Sequence, residues 1–169
     1  NCCQRRVLNS MKQLLIALVI LTTTACGWHL RGITKLPSSV QVMTLESQAS
    51  NRFTQRLKQQ LIFNGVVFPS DASANVRLKI APISIKRLTL SVNSLGQAAE
   101  YELNAELSVR LIQLEEGTDT EWNITGRRVF SNDINSVIAT QSEEKTQRQE
   151  LENDLMRKLM NRLKKAQLK

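Results

Sequence analysis

Glu100-Tyr101-Glu102-Leu103-Asn104-Ala105-Glu106-Leu107-Ser108-Val109-Arg110-Leu111 alternates polar and apolar residues without a break. A side-chain period of two means a β-strand with one face in a core and the other in water. A sheet built around it needs a cover on its apolar face only, and the chain's helices have to supply that cover.

Immediately upstream, Asn93-Ser-Leu-Gly96 has the composition of a four-residue hairpin loop. The partner strand before it alternates only in pieces: Val76, Leu78, Ile80; then Ile83, Ile85; then Leu88, Leu90, Val92. The pattern jumps at Ala81-Pro82 and again at Lys86-Arg87. Pairing Val92 with Gln97 sets Leu88 opposite Tyr101. A bulge at Lys86-Arg87 then brings Ile85 to Leu103, and a second near Ala81-Pro82 brings Ile80 to Leu107. Pro82 has no N–H for a ladder, which also favours a bulge there. The same register predicts a cross-strand ion pair between Lys86 and Glu102 on the wet face.

Moving outward, Glu115-Glu-Gly117-Thr-Asp119 is a turn, and Trp122 to Phe130 reads as a further strand interrupted by Gly126. Leu151, Leu155, Leu159 and Leu163, with Met156 and Met160 beside them, form the stripe of a helix from about 143 to 165. Towards the N-terminus, Phe53, Leu57 and Leu61 mark a helix of about three turns, with Asn51 as its N-cap and Asn64-Gly65 as its stop. Val40 to Leu45 alternates as a first strand. The expected fold is α+β, with two helices packed on one face of a mainly antiparallel four-stranded sheet.

The chain of 169 residues is long enough for one such core, and its mean hydropathy of −0.24 is that of an ordinary globular body. With 4% aromatic residues, the core rests on Leu, Ile and Val. The formal charge is +8; the leader described next takes Arg5, Arg6 and Lys12 and no acid, leaving +5 on the rest. Outside the cytoplasm, the basic charge is read in two ways: a surface for anionic lipid, lipopolysaccharide or an acidic protein rather than nucleic acid, or a surface that serves solubility alone.

Met11-Lys12 followed by Leu14 to Leu21 has the layout of a secretory signal, and its apolar run is too short to span a bilayer. Residues 1–25 are therefore read as a signal peptide, with residues 1–10 a candidate upstream extension and Met11 the candidate start. Thr23, Thr24 and Ala25 before Cys26 resemble a bacterial lipobox, with Thr in place of its usual Leu three positions before the Cys. Such a cysteine receives diacylglycerol on its thiol and, after cleavage, a further acyl chain such as palmitate on its amine. Each buried methylene adds roughly 0.8 kcal/mol, so several chains make a stable anchor. Gly27 after the Cys suits sorting to the outer membrane. Residues 26–169 are then a single lipid-anchored domain. Cys2 and Cys3 leave with the leader, so no internal disulfide is available to it.

The residue set argues against an enzyme. His29 is the only histidine, no glycine-rich phosphate loop occurs, and the pairs Glu100/Glu102 and Glu115/Glu116 fall on a wet strand face and in a turn. No cofactor is expected beyond the covalent lipid on Cys26.

Cys26-Gly-Trp-His-Leu-Arg31, Leu61 to Asn64-Gly65-Val66, Gly96-Gln-Ala-Ala-Glu-Tyr101 and Val129-Phe130 stand in an order and spacing that resemble the LptE family of lipopolysaccharide-assembly lipoproteins. The resemblance covers essentially all of residues 26–169. It implies an outer-membrane lipoprotein that faces the periplasm and partners the β-barrel LptD. Such a protein plugs that barrel and assists its assembly, binds lipopolysaccharide and helps deliver it to the cell surface. The family fold, two helices on a four-stranded sheet, agrees with the elements read from the residues.

The chain departs from the family where a basic residue precedes the hairpin Gly-Gln, for here Ser94 and Leu95 stand. Lys86 and Arg87, then Arg127 and Arg128, become the candidate contacts to lipopolysaccharide phosphates. The competing reading is a free-standing envelope lipoprotein that binds lipid or envelope polymer without a barrel. Mass spectrometry of the mature N-terminus is expected to find a triacylated Cys26; an unmodified cysteine, or cleavage elsewhere, refutes the anchor.

Overall fold

The computed structural model describes residues 36–70, 73–115 and 117–166. Its spine is the alternating strand, β4 (Ala98–Gln113), flanked on one side by β5 (Asp119–Ser131) along nearly its whole length. On the other side lie two shorter strands, β2 (Val76–Ile80) against residues 109–113 and β3 (Ser84–Val92) against residues 98–106. β1 (Met43–Ser47) pairs parallel with β2, a single parallel bridge joins Val42 to Val67, and the other strand pairings are antiparallel. Two helices complete the domain, α1 (Asn51–Phe63) and α2 (Val137–Lys165). A short 3-10 turn at Ser38–Val40 precedes β1.

The sheet thus has five strands where four are expected, because the long strand before the hairpin is broken into β2 and β3. From Ile80 opposite Val109 to Ser84 opposite Glu106, the chain takes four steps against three on β4. The surplus residue falls within Ala81-Pro82-Ile83. Ala81 still donates to the Ser108 carbonyl at 3.0 Å, and Pro82 has no proton to give.

The other expected bulge, at Lys86-Arg87, is absent. The ladder runs evenly from Ser84 to Thr89, and its irregularity lies at Ser91 beside the hairpin. Leu88 therefore stands opposite Glu102 rather than Tyr101, Ile85 opposite Ala105 rather than Leu103, and Ile80 opposite Val109 rather than Leu107. Leu88, Leu90 and Val92 remain 53%, 46% and 59% exposed. The physical reason is the register: without a bulge at Lys86-Arg87, Ile85 stays on the core side opposite Ala105 while Leu88 falls in the Glu102 row of the open face. The expected bulge does not set that register. The turn fixes it instead: Asn93 N–H donates to the Gln97 carbonyl, Asn93 Oδ1 accepts from Leu95 and Gln97, and Gly96 takes φ +76°.

Under the helices, Leu103, Leu107, Val109 and Leu111 of β4 are fully buried. Phe53, Leu57 and Leu61 of α1 and Leu151, Leu155, Leu159 and Leu163 of α2 join them in one cluster with Met43, Val76 and Leu78. Each such side chain contributes roughly 1.5–3 kcal/mol by leaving water.

Ser50, not Asn51, caps α1, its Oγ accepting from Phe53 N–H at 3.3 Å. α2 starts six residues before the expected position, with Ser136 Oγ accepting from Ala139 N–H. That first stretch lacks the Leu stripe and keeps Val137 and Ile138 exposed, so its helicity is not legible from periodicity.

β5 is not interrupted at Gly126. The glycine is there for close approach: a Cβ at this position would stand 3.0 Å from Leu151 Cδ2 and 3.6 Å from Leu155 Cδ2. Gly126→Val is therefore expected to push α2 off the sheet and lower stability by roughly 1–3 kcal/mol, measured as a fall in the denaturant midpoint; an unchanged midpoint refutes that packing.

Candidate functional site

Lys86, Arg87, Arg127 and Arg128 do not converge. Adjacent strand residues point to opposite faces, so each basic pair is split across the sheet. Lys86 and Arg127 flank Asn104 in one row of the open face, across β3, β4 and β5. Arg87 and Arg128 flank Leu103 in a row of the helix-covered face.

On the open face the carboxylate of Glu102 is held by Arg127, whose Nε donates at 2.7 Å, and by Asn104 Nδ2, also at 2.7 Å. The hydrogen bond from Arg127 first, then that from Asn104, keeps the Glu102 carboxyl below its usual range, and the same contact raises Arg127. The expected Lys86–Glu102 pair is therefore replaced by Arg127–Glu102, because the unbulged register moves Lys86 on to Asn104. The Lys86 ammonium has no carboxylate partner among the described residues. It lines a shallow hollow of about 280 Å³ with Ser84, Asn104, Glu106 and Thr125.

Arg87 has a different occupation. Its Nη1 donates to Glu144 of α2 at 2.8 Å, and its guanidinium lies 4.7 Å from the centre of the Tyr101 ring. Arg148 donates to the other oxygen of Glu144 through Nε and Nη2 at 2.9 and 2.7 Å. Arg87 thus ties the edge strand to the start of α2 and is a structural residue. Arg128 donates to the Arg127 carbonyl at 3.3 Å.

Elsewhere the open face is a field of alternating charge. Glu46, Lys79, Arg110 and Glu121 stand in one row across β1, β2, β4 and β5. Glu46 bridges Arg77 and Lys79 at 3.1 and 3.3 Å, and Arg110 pairs with Asp119. Exposed pairs of this kind add little stability. Their effect is to make the face wettable and nearly neutral.

The hairpin tip, by contrast, is apolar. Leu95 is 79% exposed, and Leu88, Leu90 and Val92 run down β3 from it. The turn from β5 into α2 meets the same end, since Asn132 Nδ2 donates to the Ala98 carbonyl and Asn132 N–H to Ala99. That turn brings exposed Ile134, Val137 and Ile138. Sequence reasoning missed this apolar end, taking Leu88, Leu90 and Val92 for core; Leu95 between Asn93 and Gly96 was the available sign. Cys26 lies outside the described residues.

A model of the LptE lipopolysaccharide-assembly family matches residues 38–163. The chain is 30% identical over 152 residues to the LPS-assembly lipoprotein LptE of Photorhabdus laumondii, covering 89% of this chain and 83% of that protein. It is 28% identical over 154 residues to the LPS-assembly lipoprotein LptE of Pectobacterium atrosepticum, again covering 89% and 83%. Among solved structures, rare lipoprotein B of Shewanella oneidensis superposes with a TM-score of 0.65 at 22% identity, over 72% of this chain and 92% of that one. A minor lipoprotein of Acinetobacter baumannii gives 0.63 at 19% identity, over 76% and 93%. These likenesses show the fold.

The Arg87–Glu144–Arg148 cluster carries a pH dependence. Burial raises the Glu144 pKa, but the hydrogen bonds from Arg148 and Arg87 outweigh it and bring the value below the ordinary 4.5. A carboxyl lowered on folding stabilises above its unfolded pKa and loses that contribution as pH falls through the folded one. Stability is therefore expected to decline below about pH 4.5, and Glu144→Gln to flatten part of that decline in denaturant titrations at pH 3 to 6. An identical slope in the variant sinks the assignment.

Proposed function

The chain belongs to the LptE family of lipopolysaccharide-assembly lipoproteins, and on that premise we propose that it is the lipid-anchored, non-catalytic subunit of an outer-membrane lipopolysaccharide transport complex. In this reading Cys26 carries the anchor and the domain sits inside the partner β-barrel LptD. There it assists barrel assembly, binds lipopolysaccharide and helps pass it to the cell surface. The family match over residues 38–163 is the observation that carries the reading.

Two features of the fold support it. The lumen of an outer-membrane barrel is polar, and the open face of this sheet presents interleaved acids, cations, amides and hydroxyls along β4 and β5. Such a face meets a wet barrel wall without a dehydration penalty. The helices, meanwhile, cover the apolar face internally, so the domain needs no partner to form its core.

Toward lipopolysaccharide, the split of the basic pairs selects Lys86, which has no carboxylate partner among the described residues, with Arg127 in the same open-face row but shared with Glu102. Arg87 is occupied by Glu144 and Tyr101. The apolar tip around Leu95 supplies a surface for acyl chains where the family's basic residue is missing.

Affinity purification of the lipidated protein from outer membrane tests the proposal. A large β-barrel and lipopolysaccharide are expected to come with it, and Lys86→Ala combined with Arg127→Ala to lower the bound lipopolysaccharide severalfold while the barrel is retained. A stable monomer without a barrel overturns the reading in favour of a free-standing lipid-binding lipoprotein.

A further inference from the structure

The opposite end of the domain, where α1 and α2 both finish, has a surface that neither the core nor the proposed lipopolysaccharide contacts use. α1 stops at Phe63, and Asn64 and Gly65, the latter at φ +92°, turn the chain away. Within six residues Ile62, Phe63 and Val67 are 53%, 66% and 60% exposed. The last turn of α2, with Arg162, Lys164 and Lys165, finishes at the same end of the helical layer. Lys164 and Asn64 line the same groove of about 310 Å³ between the helices, together with Arg56 and Arg157.

Acids are missing from this end of the helical layer. α1 contains none, and α2 has none after Asp154. Asp154 is occupied by Arg157 and Lys158, so Arg162, Lys164 and Lys165 have no carboxylate partner among the described residues. Cations in a last turn offset the helix dipole, but that role does not account for three exposed apolar side chains at the same end. On the sheet side, Asp119 at the start of β5 is paired with Arg110, and the β4–β5 turn carries the exposed Glu115.

The chain also enters the domain here. Leu36 is buried and its N–H donates to the Asn64 carbonyl at 3.1 Å. Cys26 precedes it by ten residues, a length that spans at most about 35 Å when extended. Resting on the reading of Cys26 as the lipid anchor, the leaflet that holds the anchor lies within that reach. Among the described residues no helix is long and apolar enough to cross a membrane.

We propose that this end is a second membrane contact, with Ile62, Phe63 and Val67 seated among the headgroups of an anionic phospholipid leaflet and Arg162, Lys164 and Lys165 on its phosphates. Apolar side chains rimmed by cations are the composition that binds such an interface. The contact holds the domain upright over its anchor, with the apolar hairpin end directed away from the leaflet.

The test uses the mature lipidated protein, in which Phe63→Cys provides the sole free thiol, labelled with an environment-sensitive fluorophore. The protein is reconstituted into vesicles of phosphatidylcholine alone or with phosphatidylglycerol. In the anionic vesicles the emission is expected to shift to the blue, to be quenched by lipid-borne quenchers, and to revert in high salt. Lys164→Gln with Lys165→Gln is expected to lower the inserted-to-free ratio of the probe about thirtyfold.

A vesicle-bound, lipid-modified protein whose probe stays in water overturns the contact. So does a probe already shielded without vesicles, which means the chain covers its own patch. So does one shielded in either lipid only with the barrel present, which gives the patch to the barrel. Failure of the anchor reading is distinguishable, since intact mass then shows an unmodified Cys26.

Discussion

One face of β4 must be kept from water, and nearly every other feature of the domain follows from that. Five apolar residues, Leu103 through Leu111, point one way from a single strand. Removing them from solvent requires helices on that side and neighbours on both edges. α1 and α2 deliver their Phe and Leu stripes to this surface, and Gly126 lets α2 approach closely enough to seal it. The described residues contain no cysteine, so this burial is the main source of their stability.

The other face of the same strand carries the opposite consequence. Free of any packing duty, it is furnished with Glu100, Glu102, Asn104, Glu106, Ser108 and Arg110, most of them engaged by neighbours on β3 and β5. The sheet is thus buried on one side and largely polar on the other. The ends are the exceptions. The hairpin end is apolar and unpaired, while the α1–α2 end combines apolar side chains with unneutralised cations. The described domain thus has a polar flank between two chemically distinct ends.

Much of this was legible in particular residues. The alternation from Glu100 to Leu111, the Leu stripe of α2, the Phe53-Leu57-Leu61 stripe of α1 and the Asn93 to Gly96 turn each appear in the structure where the pattern places them. The break at Ala81-Pro82 was legible too, since an imino residue cannot serve a ladder. The register above it was not. Leu88, Leu90 and Val92 look like core because apolar alternation ordinarily marks a buried face, yet the unbulged ladder turns Leu88 onto the open face opposite Glu102, and all three remain in solvent. The basic doublets Lys86-Arg87 and Arg127-Arg128 looked like two pairs for the same reason; the pleat separates each.

The sequence by itself determined the class of fold and the family, because these rest on local periodicity and on short motifs whose residues are adjacent in the chain. The tertiary structure alone decided which cations are free, where the apolar surfaces lie and which glycine is a packing requirement. Those depend on how far a helix extends over a sheet and on a register one residue either way. Such distances join parts of the chain far apart in sequence, as Arg87 with Glu144 and Gly126 with Leu151, and no local pattern encodes them.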